Sequence, residues 1–146
     1  MFEGDVDEVR IGMDPNAFAV VSRPELDSHG CGRIPVRIEA GTLRASSMAE
    51  MVLRPSTDLA AYFEDMARGW RGWTGNKVWN DDEAQVKLSA THDGKGAVNL
   101  EVVLQDMGYQ GPGHWRARTV VPIEPGALDG IAHELRALLS SDLERR

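Results

Sequence analysis

A chain of 146 residues with 42% hydrophobic and 27% charged side chains has the size and composition of one ordinary globular domain, able to bury roughly 70% of the surface its unfolded form exposes. No apolar run approaches the roughly 20 residues that cross a bilayer, and the single cysteine, Cys31, excludes an internal disulfide. A net charge of −7, with the basic residues dispersed, opposes attraction to phosphate backbones, so neither nucleic acid nor a membrane is the expected partner.

The opening Met1 to Glu8 is acidic, without the basic-then-apolar pattern of an export signal, and with the lone thiol this points to the cytoplasm. Val9 to Gly12 and Ala17 to Arg23 read as two strands of a hairpin turned by Asp14-Pro15-Asn16. Glu25 to Gly32 is polar and glycine-rich; Arg33 to Glu39 resumes as a strand, and Ala40-Gly41 turns into Thr42 to Ala45. Glu50 to Arg54 reads as a further strand, while Ser46 to Ala49 fits a bulge, a bend or a continuous strand equally well.

Ser56, Thr57 and Asp58 are helix-capping residues. Leu59, Tyr62, Phe63, Met66 and Trp70 follow at spacings of three and four, which predicts an amphipathic helix ending near Gly69. From Ala84 to Glu124 three alternating segments succeed one another: Val86, Leu88, Ala90 and His92; Val98, Leu100, Val102 and Leu104; Trp115, Ala117, Thr119, Val121 and Ile123. Period-two alternation means strands with one buried face, and Asp93-Gly94 between the first two is a hairpin signal. Lys87, Glu101, Arg116 and Arg118 fall on the opposite, solvent face. Pro125 suits the first turn of a closing helix whose stripe is Leu128, Ile131, Ala132, Leu135, Leu138 and Leu139. Residues 1–146 thus read as a single α+β domain, a mainly antiparallel β-sheet of about six strands with two amphipathic helices packed on one face.

Chemistry is less legible. Gly69 to Trp79 holds three of the four tryptophans beside Arg71 and Lys77, so Trp73 and Trp79 can stack a ligand or partner while Arg71 or Lys77 contacts an anion. The competing structural reading has Trp70 closing the helix stripe and Trp73 and Trp79 packing inward. Asp81, Asp82 and Glu83 concentrate charge that suits a basic partner, but they lack the alternating ligands and glycine of a calcium loop. His29, Cys31, His92, His114 and His133 have neither the number nor the spacing of a zinc site. His92 fits a strand-end hydrogen bond, and the glycines near Tyr109 precede a strand where a phosphate cradle needs a helix. No catalytic residue, cofactor or metal is expected, and whether the chain is an enzyme stays open, leaning against.

Phe63, Trp70-Arg71-Gly72-Trp73, Leu88 to Gly94, Trp115-Arg116-Ala117, Glu124-Pro125-Gly126 and Leu128 carry a resemblance. Across Asp58 to Leu139 the chain resembles a family of small actinobacterial proteins known only as a domain of unknown function. More distantly, the order of its elements is similar to that of immunity proteins that protect bacteria from contact-delivered toxins. The resemblance bears on the fold more than on the activity; the leading expectation is a noncatalytic cytoplasmic binding protein of immunity type, whose acidic residues and tryptophans meet a toxin-like partner with a basic surface. Two alternatives remain: a small-molecule binder or enzyme with a pocket near the Trp-rich connection, and a structural or self-assembling module. The sequence does not fix an oligomeric state.

Overall fold

The computed structural model describes residues 7–26, 32–51, 58–81, 83–106 and 112–144. Among them are nine strands and two α-helices, arranged as two antiparallel sheets in place of the expected one. The first sheet contains β1 (Glu8–Ile11), β2 (Ala17–Ser22), β3 (Glu25–Leu26), β4 (Gly32–Ala40) and β5 (Leu43–Met51). The second runs in order β6 (Lys77–Asn80), β7 (Val86–His92), β8 (Val98–Gln105) and β9 (Arg116–Ile123).

β2 and β3 lie along the same edge of β4. Val21 faces Val36 and Glu25 faces Arg33, so the stretch between Val21 and Glu25 is one residue longer than the β4 segment opposite it. Such an extra residue makes a bulge, a place that tolerates Pro24 because proline has no N–H to offer the ladder. The polar segment after Pro24 therefore begins as strand. β5 is one continuous strand paired with β4 from Leu43↔Ala40 to Met51↔Gly32, which selects continuity for Ser46 to Ala49. Its small side chains let it approach β7 and β8 of the second sheet; Ala49 is buried there and the Ser47 hydroxyl donates to the Gln105 carbonyl at 2.9 Å. Residues 52–54 of the expected later strand lie outside the described residues.

In the second sheet, alternation places Val86, Leu88, Ala90, Val98, Leu100, Val102 and Leu104 inward. The solvent face carries Arg118 hydrogen-bonded to Glu101. β6 has four residues, too short a run to announce itself by alternation.

α1 (Leu59–Arg68) starts at Asp58, whose side chain accepts the Ala61 N–H, and stops at Gly69. A 3-10 turn over Pro125–Ala127 leads into α2 (Leu128–Glu144). All six residues of the α2 stripe are buried, as are Leu59, Phe63 and Met66 of α1. The helices pack on each other, α2 lies against β1, and their stripes join inward residues of both sheets in one hydrophobic cluster. The core is thus shared by two sheets and a helix pair, where one covered sheet face was expected. Arg136 of α2 ties the helices together: Nε and Nη2 donate to the two oxygens of Glu64 at 3.1 and 2.8 Å, and Nη1 donates to Asp58 at 2.9 Å.

Candidate functional site

The end of α1 presents the most exposed aromatic surface of the tryptophan-bearing connection. Gly69 caps the helix by donating to the carbonyls of Asp65 and Met66, so the chain leaves the helical path before Trp70. Trp70 is accordingly 50% exposed instead of closing the stripe, and the Arg71 guanidinium lies 5.2 Å from its ring centroid. A tight turn follows, with the Gly72 N–H donating to the Gly69 carbonyl at 2.9 Å. Gly72 has φ of 146°, a conformation L-residues rarely adopt.

His92 anchors that turn. Its Nδ1 accepts the Gly94 N–H at 2.9 Å, so Nδ1 is unprotonated, and Nε2, 3.0 Å from the Trp70 carbonyl, must carry the hydrogen it donates. The ring also meets Trp73 edge-on at 5.3 Å. At the hairpin beyond it, Asp93 accepts the N–H groups of Lys95 and Ala97, and these bonds hold its carboxyl below its ordinary pKa.

The other expected site residues disperse. Trp73 is half-buried and donates its indole N–H to the Ala90 carbonyl at 3.2 Å. Lys77 pairs with Asp65 at 2.8 Å and lies over the Trp73 ring, so its charge is already engaged. Its carbonyl accepts the Tyr62 hydroxyl at 2.7 Å; burial and, secondarily, Asp65 push that phenol well above its ordinary pKa. Trp79 faces the core, 3% exposed and opposite Leu88, which removes it as a surface anchor. Its indole N–H meets no acceptor among the described residues.

Asp81 is also buried. It is 4% exposed, and its carboxylate is filled by four backbone amides: Gln85 and Val86 on Oδ1, both at 2.9 Å, with Glu50 and Glu83 on Oδ2 at 3.1 and 3.2 Å. A buried carboxylate supplied this way is a structural clamp with no lone pair aimed at a partner. Glu83 is exposed, and Asp82 lies outside the described residues. The β6–β7 register, Lys77↔Ala90 to Asn80↔Lys87, puts Asp81 and Glu83 at one end of the ladder and the His92–Trp70 contact beyond the other. Asp81 and Glu83 therefore do not form one face with the tryptophan turn.

A groove of about 570 Å³ lies elsewhere, between the β1–β2 turn, the β7–β8 hairpin, the end of β9 and the first turns of α2. Gly12 makes the close approach there: a β-carbon would meet Val121 Cγ1 at 2.5 Å, and φ is 96°. Met13 and Pro122 give the groove exposed apolar surface above buried Ile123 and Ile131; Arg10, Asp14, Glu124 and Glu134 bring charge. These residues come from distant segments, and no local pattern in the sequence announces their meeting. Trp70 had such a signal, since a side chain beyond a Gly cap need not follow the helix stripe.

Residues 11–142 match the family model described as a family of unknown function (DUF6228). The chain belongs to this family. The DUF6228 match begins well before Asp58, so the family extends over the first sheet as well as the segment that carried the sequence resemblance. No curated protein and no solved structure matches the chain. For this DUF6228 member, the described residues contain no group of three or more His, Cys, Asp or Glu able to hold a metal, and no helix long and apolar enough to cross a membrane. His114 and His133 are exposed; His29 and Cys31 lie outside the described residues.

Proposed function

We propose that this chain is a noncatalytic binding protein that blocks a basic, toxin-like protein by surface contact, as immunity proteins do. The observation that supports the reading is the Trp70–Arg71 pair, an exposed indole stacked with a guanidinium on a turn held by His92. Tryptophan and arginine dominate binding hot spots, and a turn already fixed loses little entropy on association. The net charge of −7 supplies long-range steering toward a basic partner, with Glu83 contributing from the far end of the ladder. Affinity capture from cells carrying the native gene, run in parallel with wild type and W70A/R71A, tests it. A protein retained by wild type, released by the folded double variant and slower to associate in salt supports the reading; equal retention by both overturns it.

The groove at the start of α2 favours a second reading, a small-molecule binder. Its pocket lies away from the tryptophan-bearing connection, walled by the β1–β2 turn and α2.

A further inference from the structure

The groove between the β1–β2 turn and α2 has the dimensions of a ligand site. Its volume of about 570 Å³ falls within the roughly 300–1,000 Å³ typical of small-molecule pockets. The lining is mainly apolar, with exposed Met13 and Pro122 and half-buried Ala97 and Ala127 over the buried Ile123 and Ile131, so an occupant gains by burying an apolar body there.

The charge at the groove is asymmetric. Asp14, Glu124 and Glu134 bring three carboxylates against the single guanidinium of Arg10. That guanidinium is already engaged, its Nε donating to the Gly12 carbonyl at 3.0 Å and its Cζ 3.8 Å from the Phe18 ring centroid. Glu124 makes no side-chain capping bond to the turn it precedes, so its carboxylate is not committed to the helix start. An apolar trough flanked by excess carboxylate complements an apolar body bearing one positive charge and disfavours an anion.

We propose that this groove binds a small amphipathic cation, an amine or guanidinium carried on an apolar body. The proposal rests on the small-molecule reading of the groove and adds the ligand class. The arrangement disfavours carboxylates and phosphates of the same size through charge repulsion.

Titration of the 15N-labelled full chain with 4-phenylbutylamine and, separately, 4-phenylbutyrate tests both levels. The amine should move the amides of Ala97, Gly130 and Ile131 saturably, and the carboxylate should bind at least about tenfold more weakly. E124Q/E134Q should weaken the amine by about tenfold while removing no capping bond. Gly130→Leu provides a steric arm. A β-carbon at Gly130 meets nothing within 4 Å, so the helix accepts the substitution while the longer side chain occludes the groove, and amine binding should be lost with the fold intact. Binding of the carboxylate at least as tight as that of the amine, with shifts at the same amides, overturns the ligand class but leaves the pocket standing. No saturable shift with either probe, or amine binding unchanged in folded Gly130→Leu, overturns the pocket itself.

Discussion

Arg136 in the closing helix donates to Asp58, the residue that caps the first helix, across 78 positions of sequence at 2.9 Å. Asp58 thereby works in two directions, one oxygen capping the Ala61 N–H at 3.0 Å and the other holding α2. With the bidentate pair to Glu64, one guanidinium fixes the start and middle of α1 against α2. Arg136→Met should lower unfolding free energy by about 1–2 kcal/mol in urea denaturation, because a bidentate network exceeds an isolated surface pair while partial exposure screens it.

The same network makes stability depend on acid. The hydrogen bond from Arg136 is the main cause that holds Glu64 below its ordinary pKa of 4.5. A depressed folded value means the contribution is present above about 4.5 and is lost as pH falls through the lower folded value. Denaturant midpoints measured from pH 6 to pH 3 should fall for the wild type. Glu64→Gln should flatten part of that fall, leaving a remainder of the same sign from Asp93, whose carboxyl is also held low by its hairpin amides. Parallel curves for wild type and Glu64→Gln would show that the pair contributes nothing.

Asp81→Ala should be the costliest change to any charged residue of the acidic run. It strands four backbone amides at once, and each buried donor left unmatched costs about 1–3 kcal/mol where water cannot reach it. A loss of about 3 kcal/mol or more is expected, with Asp81→Asn intermediate because one of its two terminal groups no longer accepts. Glu83 joins the clamp only through its backbone N–H, so Glu83→Gln, which alters just the exposed side chain, should change stability by less than about 0.5 kcal/mol in the same denaturation series.

Phe63→Ala and Leu135→Ala should each cost roughly 2–5 kcal/mol, since both side chains are fully buried where the helices meet the shared core. Changes below about 0.5 kcal/mol in both would remove the helix stripes from the core. For His92, long-range 1H–15N correlation should show the neutral ring protonated at Nε2. Finding the proton on Nδ1 would sever both the Gly94 and the Trp70 contacts and with them the support of the exposed turn.

Long periodic elements were legible because many residues repeat one instruction. The α2 stripe from Leu128 to Leu139 and the inward residues of β7 and β8 are buried as their spacing requires. Short elements carry too few repeats: Trp79 sits in a four-residue strand, and nothing around it distinguishes a surface anchor from a core residue. Alternation also marks faces without naming strand neighbours, so it could not show that β5 pairs with β4 while abutting a second sheet. The burial of Asp81 is not legible in the sequence for another reason. A carboxylate run favours solvent unless backbone amides converge on one member, and here Glu50 arrives from 31 residues away. Trp70 and the groove depend in the same way on contacts between distant segments, His92 with the α1 terminus and α2 with the β1–β2 turn.

The clamp at Asp81 also bears on how the chain is made. The Glu50 N–H, the Met48 carbonyl and the Ser47 hydroxyl, all on β5, find their partners in Asp81, Gln85 and Gln105. During synthesis β5 emerges from the ribosome long before those partners, so its outward edge is temporarily an open strand able to pair with another nascent chain. Asp81 and Gln85 close the Met48–Glu50 part of that edge and Gln105 of β8 takes the Ser47 hydroxyl, so this part of the first sheet is protected against self-association by residues of the second.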